Sequence, residues 1–145
     1  MRRLEIPPLW MLAAGAVEAA LARVSPGLRY EADTLLVIAP ALLGFGLILW
    51  AALHFRARDT TVHPRARPTA LVASGPYRLN RNPMYTGMAL ILLGWALHLG
   101  ALTALVPPFI FIAVIDRRFV RDEEAGLRAA FGAEAEAFLS RTRRW

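Results

Sequence analysis

Residues 34–55 form a stretch of 22 residues without a charged side chain. As a helix this stretch would be about 33 Å long, which matches the thickness of the hydrocarbon layer of a membrane. The rest of the chain is similarly apolar, because 57% of its 145 residues are hydrophobic and only 19% are charged. A soluble domain of this length needs more polar surface than that. We therefore expect a membrane protein.

Two further apolar regions complete a pattern of about four spans. Residues 7–24 are interrupted only by Glu18 and Arg23 and would form a helix of about 27 Å. Residues 84–115 form an apolar stretch without an acid or an Arg. This stretch is too long for one span, and His98-Leu99-Gly100 supplies the turn of a helical hairpin. The predicted fold is all-α: a polytopic membrane protein with about four transmembrane helices, a C-terminal helical hairpin, an ordered cytoplasmic loop and a cytoplasmic tail helix.

We expect a single membrane-embedded domain over residues 1–145. Within the spans, Gly44 and Gly46 offer a surface for close helix packing, and Pro107-Pro108 are expected to bend the second half of the hairpin. The domain divides into two N-terminal spans (residues 1–55), a loop (56–83), the hairpin (84–115) and a tail helix (116–145).

The first apolar region has a second interpretation, which is a secretory signal peptide. Arg2 and Arg3 precede it, and the Ala-Leu-Ala sequence at 20–22 resembles a cleavage site. Pro7-Pro8 and Glu18 within the apolar core argue against this interpretation. In a membrane helix, Glu18 is expected to face the interior of the bundle beside a polar partner such as a hydroxyl group.

The distribution of Arg predicts the orientation in the membrane. Residues 56–81 carry six Arg and one acid, residues 25–33 carry one Arg and two acids, and seven more Arg lie from Arg117 onward. Because Arg-rich loops remain cytoplasmic, both termini and the middle loop are expected in the cytoplasm. We expect the membrane to be a bacterial inner membrane. Topology thus explains the basic charge, and no nucleic acid partner is expected.

The chain contains no Cys, and all 17 of its basic side chains are Arg. Disulfides, thiolate metal sites and Cys nucleophiles are therefore excluded, as are Schiff-base chemistry and a Walker-type phosphate loop. We predict no metal site.

The loop at 56–83 is too long for a simple connection, which is typical of functional loops. Pro83 at the first position of the following helix, with Asn82 before it, predicts a capped helix N-terminus. Arg81, Asn82 and Tyr85 then surround a place where a carboxylate or phosphate can bind. The alternative is a purely structural cap with Arg side chains extending to the membrane surface.

One or both of Glu123 and Glu124 lie on the apolar face of the predicted tail helix. A carboxylate there is costly unless paired, so we expect it to bind either an Arg of the middle loop or a hydroxyl or ammonium group of a ligand. Gly132 is expected to end the first tail helix. Basic and aromatic residues near position 145 are expected to meet lipid headgroups: Arg141, Arg143, Arg144 and Trp145.

Four motifs occur in order along residues 55–145. They are Leu71-Val72-Ala73-Ser74-Gly75-Pro76-Tyr77-Arg78, Arg81-Asn82-Pro83-Met84-Tyr85-x-Gly87, Glu123-Glu124-x-x-Leu127-x-x-x-Phe131-Gly132 and Arg143-Arg144-Trp145. Together, with the hairpin between the second and the third, they resemble the isoprenylcysteine carboxyl methyltransferase family, which includes phospholipid N-methyltransferase-like bacterial members.

The resemblance implies a small bundle of transmembrane helices whose cytoplasmic loop and tail helix enclose S-adenosylmethionine. A lipophilic or small amphipathic acceptor, with a carboxylate, amine or thiol group, would enter from the bilayer. Many members have His in place of Asn82, and the family's substrate-binding Arg would align near Phe119, which leaves Arg118 and Arg121 as candidates for positioning the substrate. The implied cofactor-binding residues are Thr69, Ala70, Leu71, Val72, Tyr77, Arg81, Asn82, Pro83, Met84, Tyr85, Glu123 and Glu124.

Two other functions are compatible with the sequence. Related membrane sterol reductases bind a nicotinamide cofactor with a similar Arg-x-Pro-x-Tyr region, although they are longer. A non-enzymatic membrane scaffold would use the hairpin and the basic tail to hold partners or anionic lipid, and would bind no cofactor.

Overall fold

The computed structural model describes residues 6–56 and 70–145. The secondary structure of these residues is helical, which confirms the predicted all-α class. A 3-10 turn at Gly75–Arg78 precedes the third helix, another at Leu102–Leu105 precedes the fourth, and a π-helical turn at Asp116–Val120 joins the fourth to the fifth. The helices are α1 (Pro7–Val24), α2 (Thr34–Arg56), α3 (Pro83–Leu99), α4 (Pro107–Ile115) and α5 (Arg121–Arg141).

The turn of the predicted hairpin is confirmed. α3 ends at Leu99, and Gly100 follows with φ 62°, a left-handed conformation that glycine adopts without steric cost. Pro107 and Pro108 lie in the first turn of α4, where a missing N–H breaks no hydrogen bond. The two prolines therefore begin α4 after the 3-10 turn at Leu102–Leu105, and the bend of the second half of the hairpin stays a prediction.

The loop between α1 and α2 packs against the hairpin turn. The backbone N–H of Tyr30 donates to the carbonyl of Gly100 at 2.9 Å. Arg29 donates to the carbonyl of Leu99 at 2.8 Å and to that of Ala22 at 3.0 Å. Because both acceptors lie near the C-terminal ends of their helices, Arg29 satisfies carbonyls that the helices leave unpaired. These two connections therefore lie together at one end of the bundle.

α2 and α3 approach each other through glycines. A Cβ atom on Gly44 would lie 2.4 Å from the carbonyl oxygen of Gly87, and one on Gly87 would lie 2.5 Å from that of Gly44. Gly46 is exposed and has nothing within 4 Å of such an atom. The predicted close packing is confirmed for Gly44 and was wrong for Gly46.

Most of α2 is exposed apolar surface. Among the described helices, α2 is the one that is long and apolar enough to cross a membrane by length and composition. The four-span arrangement therefore stays a prediction for α1 and the hairpin. The large exposed side chains of α2 are Leu35, Leu36, Ile38, Leu42, Leu43, Phe45, Leu49, Trp50 and Leu53.

Glu18 lies in the interior of the bundle with none of its surface exposed, as predicted. Neither of its carboxyl oxygens has a hydrogen-bond partner among residues 6–56 and 70–145. The predicted hydroxyl partner is thus not found in the described part of the chain. A buried polar group without a hydrogen bond destabilises the fold.

Replacing Glu18 by Met is therefore expected to raise the midpoint of thermal unfolding in detergent. An unpaired buried polar group costs about 1–3 kcal/mol, and each kcal/mol corresponds to about 2–4 °C for a domain of this size, so the expected rise is about 2–12 °C. Glu18→Gln keeps the buried polarity and serves as the control with little change. A lower midpoint for Glu18→Met would show that the carboxyl group stabilises the protein.

Candidate active site

The segment before α3 packs against α2 and the end of α5. The rings of Phe55 and Tyr77 lie 5.2 Å apart between centroids. Gly75, with φ 60°, lies against the ring of His54 so closely that a Cβ atom there would overlap it. An apolar cluster results from these contacts, with Ala51, Val72, Tyr77, Phe138 and Leu139 buried and Phe55, Leu71 and Met84 packed around them.

Tyr85 and Glu123 meet at the start of α3. The hydroxyl group of Tyr85 donates to Oε1 of Glu123 at 2.5 Å, across 38 positions of sequence. Burial and then the negative charge of Glu123 raise the pKa of the Tyr77 hydroxyl well above its usual value. The hydrogen bond of Tyr85 therefore joins the start of α3 directly to the first turn of α5.

Glu124, the next residue, is buried in a network of ion pairs. Its carboxylate accepts two hydrogen bonds from Arg144, at 2.9 Å and 2.6 Å, and one from Arg81 at 2.8 Å. Burial alone would raise the pKa of Glu124, but the hydrogen bonds of Arg144 and Arg81 outweigh it and hold the pKa below its usual value. One of the two predicted roles, an ion pair with an Arg of the middle loop, is thus found at Glu124.

Arg81 points toward the C-terminal end of α5. Its Nε donates to the carbonyl of Thr142 at 2.6 Å, its Nη2 donates to that of Leu139, and its backbone N–H donates to that of Arg143 at 2.9 Å. The last carbonyls of a helix have no partner within it, and a guanidinium group there also interacts favourably with the helix dipole. Arg81 therefore joins the turn before α3 to both ends of α5.

α5 is bent at Gly132, which has φ 49° and ψ −120°. This conformation is unfavourable for residues with a side chain, and it confirms that the first tail helix ends there. The bend separates a first limb (residues 121–131) from a second limb (residues 133–141). Nε of Arg128 and Oε1 of Glu136, one on each limb, form an ion pair at 2.7 Å. The bend returns the end of α5 to Glu124.

Comparison with known proteins agrees with this architecture. The family described as phospholipid methyltransferase matches residues 34–134, which is more than half of the chain. The chain belongs to the phospholipid methyltransferase family. The match extends from the start of α2 to just beyond the bend of α5, and it confirms the resemblance identified from the motifs. Family membership assigns the protein to the membrane methyltransferases.

One similar protein is an uncharacterized protein of Haemophilus influenzae. It is 40% identical over 62 residues, which cover 43% of this chain and 98% of that protein. No solved structure shows significant similarity to this chain.

The family motif at residues 81–85 forms the entry of α3. Pro83 is buried at the first helical position, as predicted. Asn82 precedes the helix, but its side chain makes no capping hydrogen bond, and the predicted cap was wrong. Its Nδ2 instead donates to the carbonyl of Arg144 at 3.1 Å. Its backbone N–H donates to Oδ1 of Asn80 at 2.7 Å.

The structure divides the predicted cofactor residues into three groups. Tyr85 and Glu123 share a hydrogen bond, and Arg81 and Glu124 belong to the ion-pair network. Leu71, Val72, Tyr77 and Met84 belong to the apolar cluster. Ala70 is half-buried, and Thr69 lies outside the described residues together with the rest of 57–69.

Arg118 and Arg121, the candidates for positioning the substrate, both lie near the π-helical turn. The guanidinium group of Arg118 is 4.9 Å from the ring centroid of Trp10 on α1, a cation–π geometry. Nε of Arg121 binds Asp116 at 3.2 Å, and this Arg is largely exposed. Both side chains lie on the same end of the molecule as the start of α5.

Arg144 is the site residue that the sequence analysis missed. It was expected at lipid headgroups, whereas it binds Glu124 and, at 3.2 Å, Asp116. No spacing rule predicts this contact, because the bend at Gly132 and the turn before α3 together create it. The available signal was the occurrence of Arg144 in the closing family motif.

Proposed function

We propose that this protein is an integral membrane methyltransferase that uses S-adenosylmethionine and acts on a lipophilic or amphipathic acceptor from the bilayer. The observation that supports it best is the hydrogen bond between Tyr85 and Glu123, which joins the second and third family motifs. These motifs are separated by a hairpin, and they meet at Tyr85, whose side chain is buried in a second apolar cluster with Leu92, Phe111, Ile115 and Phe119.

The chemistry of the residues fits this cofactor. S-adenosylmethionine has an adenine ring, ribose hydroxyls, an ammonium group and a carboxylate. Glu123 offers an acceptor for hydroxyls or the ammonium group, and the N-terminal end of α3 favours a carboxylate. Tyr77, Leu71 and Val72 offer aromatic and apolar surface for the adenine ring.

The residues of this chain contribute mainly binding and alignment. When bound, the cofactor supplies a methyl group from its sulfonium centre. Glu123 and Tyr85 hold one side of the ligand, and the apolar cluster excludes water from the other side. Alignment of two reacting groups lowers the activation free energy by up to about 7–11 kcal/mol. A carboxylate acceptor needs no general base, whereas an amine or thiol must lose a proton.

The acceptor is proposed to be a lipid or another lipophilic molecule. α2 presents an exposed apolar surface suited to the bilayer. Arg118 lies in the π-helical turn between α4 and α5, with its guanidinium group against the ring of Trp10, and Arg121 is the first residue of α5. We assign to them the positioning of an anionic part of the acceptor, such as a phosphate group.

Calorimetry on the detergent-purified protein tests this function. We expect binding of S-adenosylmethionine and of S-adenosylhomocysteine, which shares its adenosine and amino acid parts. A related reductase would bind NADPH instead, and a scaffold would bind none of the three. Binding of NADPH alone, or of none of the three compounds, would refute the proposed function.

Reporter fusions test the proposed topology of four spans with both termini in the cytoplasm, at a bacterial inner membrane. The loop at 25–33 and the hairpin turn lie together at one end of the bundle, and the start of α3 and α5 lie together elsewhere. We expect alkaline phosphatase to be active when fused after Arg29 and inactive when fused after Arg67. The opposite pattern at either position would overturn the topology.

A further inference from the structure

We propose that Arg144 is a positioning residue that sets the orientation of Glu123 at the candidate site. The inference rests on the proposed function for its consequence in cofactor binding, but its structural part stands on contacts of the described residues. Arg144 belongs to the closing segment, which comprises residues 142–145.

The closing segment contacts both the residues just before α3 and the first limb of α5. Through its backbone it binds the turn before α3: the carbonyl of Arg143 accepts from the N–H of Arg81 at 2.9 Å. The carbonyl of Arg144 accepts from Nδ2 of Asn82 at 3.1 Å. Through the side chain of Arg144 the same segment binds α5 and the π-helical turn. Arg144 therefore connects the start of α3, which carries Tyr85, to the first limb of α5, which carries Glu123.

The guanidinium group of Arg144 fixes the rotation of the first limb of α5. Its Nε and Nη2 bind the two oxygens of Glu124, at 2.9 Å and 2.6 Å, and its Nη1 binds Asp116 at 3.2 Å. Successive side chains on an α-helix point about 100° apart. A fixed direction for Glu124 therefore fixes the direction of Glu123, whose carboxylate meets the hydroxyl of Tyr85 at 2.5 Å.

Arg144 acts on the site through Glu124, to which it donates two hydrogen bonds. All three nitrogens of its guanidinium group already bind carboxylates. The Glu124 hydrogen bond, followed by its charge and that of Asp116, raises the pKa of Arg144 despite partial burial. A Lys side chain reaches a carboxylate as a single point charge and does not reproduce the planar two-point contact.

The first test is hydrogen exchange on the ligand-free protein. Arg144→Lys is expected to increase amide exchange in residues 121–127 and 83–89, while exchange in α2 stays unchanged. Arg143→Ala is the control, because it removes the side chain of an exposed neighbour and keeps the backbone carbonyl that accepts from Arg81. Equal exchange in wild type and Arg144→Lys would overturn the inference, whether or not the protein binds S-adenosylmethionine.

The second test is a double-mutant cycle read out by the dissociation constant of S-adenosylmethionine. Arg144→Lys is expected to weaken binding about tenfold at a temperature where the variant is folded, and Arg143→Ala is expected to bind like wild type. If Arg144 acts through Glu123, adding Arg144→Lys to Glu123→Ala causes no further loss. Additive losses, or unchanged affinity for Arg144→Lys, would refute a positioning role. A wild-type protein that does not bind the cofactor would refute the proposed function, while the exchange experiment still decides the role of Arg144.

Discussion

Replacing Glu123 by Ala is expected to weaken the binding of S-adenosylmethionine about 10- to 150-fold while the helices stay folded. Loss of a hydrogen bond to a charged group costs about 1.5–3 kcal/mol, and about 1.4 kcal/mol is a factor of ten in affinity. Glu123 has this effect because its carboxylate is half-buried beside Tyr85 at 2.5 Å. Calorimetry at a temperature well below the unfolding midpoint of the variant measures the change.

Two variants make the result specific to the Glu123 carboxylate. Asp122→Ala removes the same charge from an exposed neighbour in the first turn of α5 and is expected to keep wild-type affinity. Tyr85→Phe removes the hydrogen bond between α3 and α5 but keeps the carboxylate of Glu123, so a smaller loss of affinity is expected. If Glu123→Ala lowers the unfolding midpoint and leaves the affinity unchanged, Glu123 belongs to the scaffold and its ligand role is wrong.

Replacing Gly44 by Ala is expected to lower the midpoint of thermal unfolding in detergent by about 2–12 °C. The added Cβ atom would lie 2.4 Å from the carbonyl oxygen of Gly87 and 3.0 Å from Cβ of Leu90. Neither backbone can move away without separating α2 from α3. Overpacking of this kind costs about 1–3 kcal/mol, and each kcal/mol corresponds to about 2–4 °C.

Gly46→Ala is the matched control for this prediction. Gly46 lies two residues further along α2, is exposed, and has nothing within 4 Å of an added Cβ atom. Its replacement is expected to change the unfolding midpoint by about 1–2 °C at most, as is usual for surface positions. Equal destabilisation by the two variants would mean that helix geometry in α2, and not contact with α3, requires the glycine at position 44.

The apolar pattern of the sequence determined most of the helices. The uncharged stretch at 34–55 became α2, and residues 7–24 became α1 with the predicted bounds. Gly100 and Gly132 marked the end of α3 and the bend of α5, because both adopt conformations that side chains disfavour. Local chemistry of this kind is readable from sequence, since hydrophobic periodicity and glycine act on neighbouring residues.

The sequence also identified the motifs of the candidate site, but it did not show which contacts their residues make. It predicted that a carboxylate of the tail helix would meet either an Arg of the middle loop or a ligand. Neighbouring residues turned out to have different surroundings: Glu124 binds Arg81 and Arg144, whereas Glu123 lies beside Tyr85. A rotation of about 100° separates the two side chains, and sequence periodicity does not resolve which of them faces which partner.

Only the tertiary structure decided the contacts that depend on distant backbone. The choice between Gly44 and Gly46 depended on how α2 is rotated against α3. Arg144 reaches Glu124 because α5 bends at Gly132 and because Arg81 and Asn82 hold the closing segment by its carbonyls. Such contacts arise from the relative placement of whole helices. That placement results from the sum of many packing interactions, which no single motif encodes.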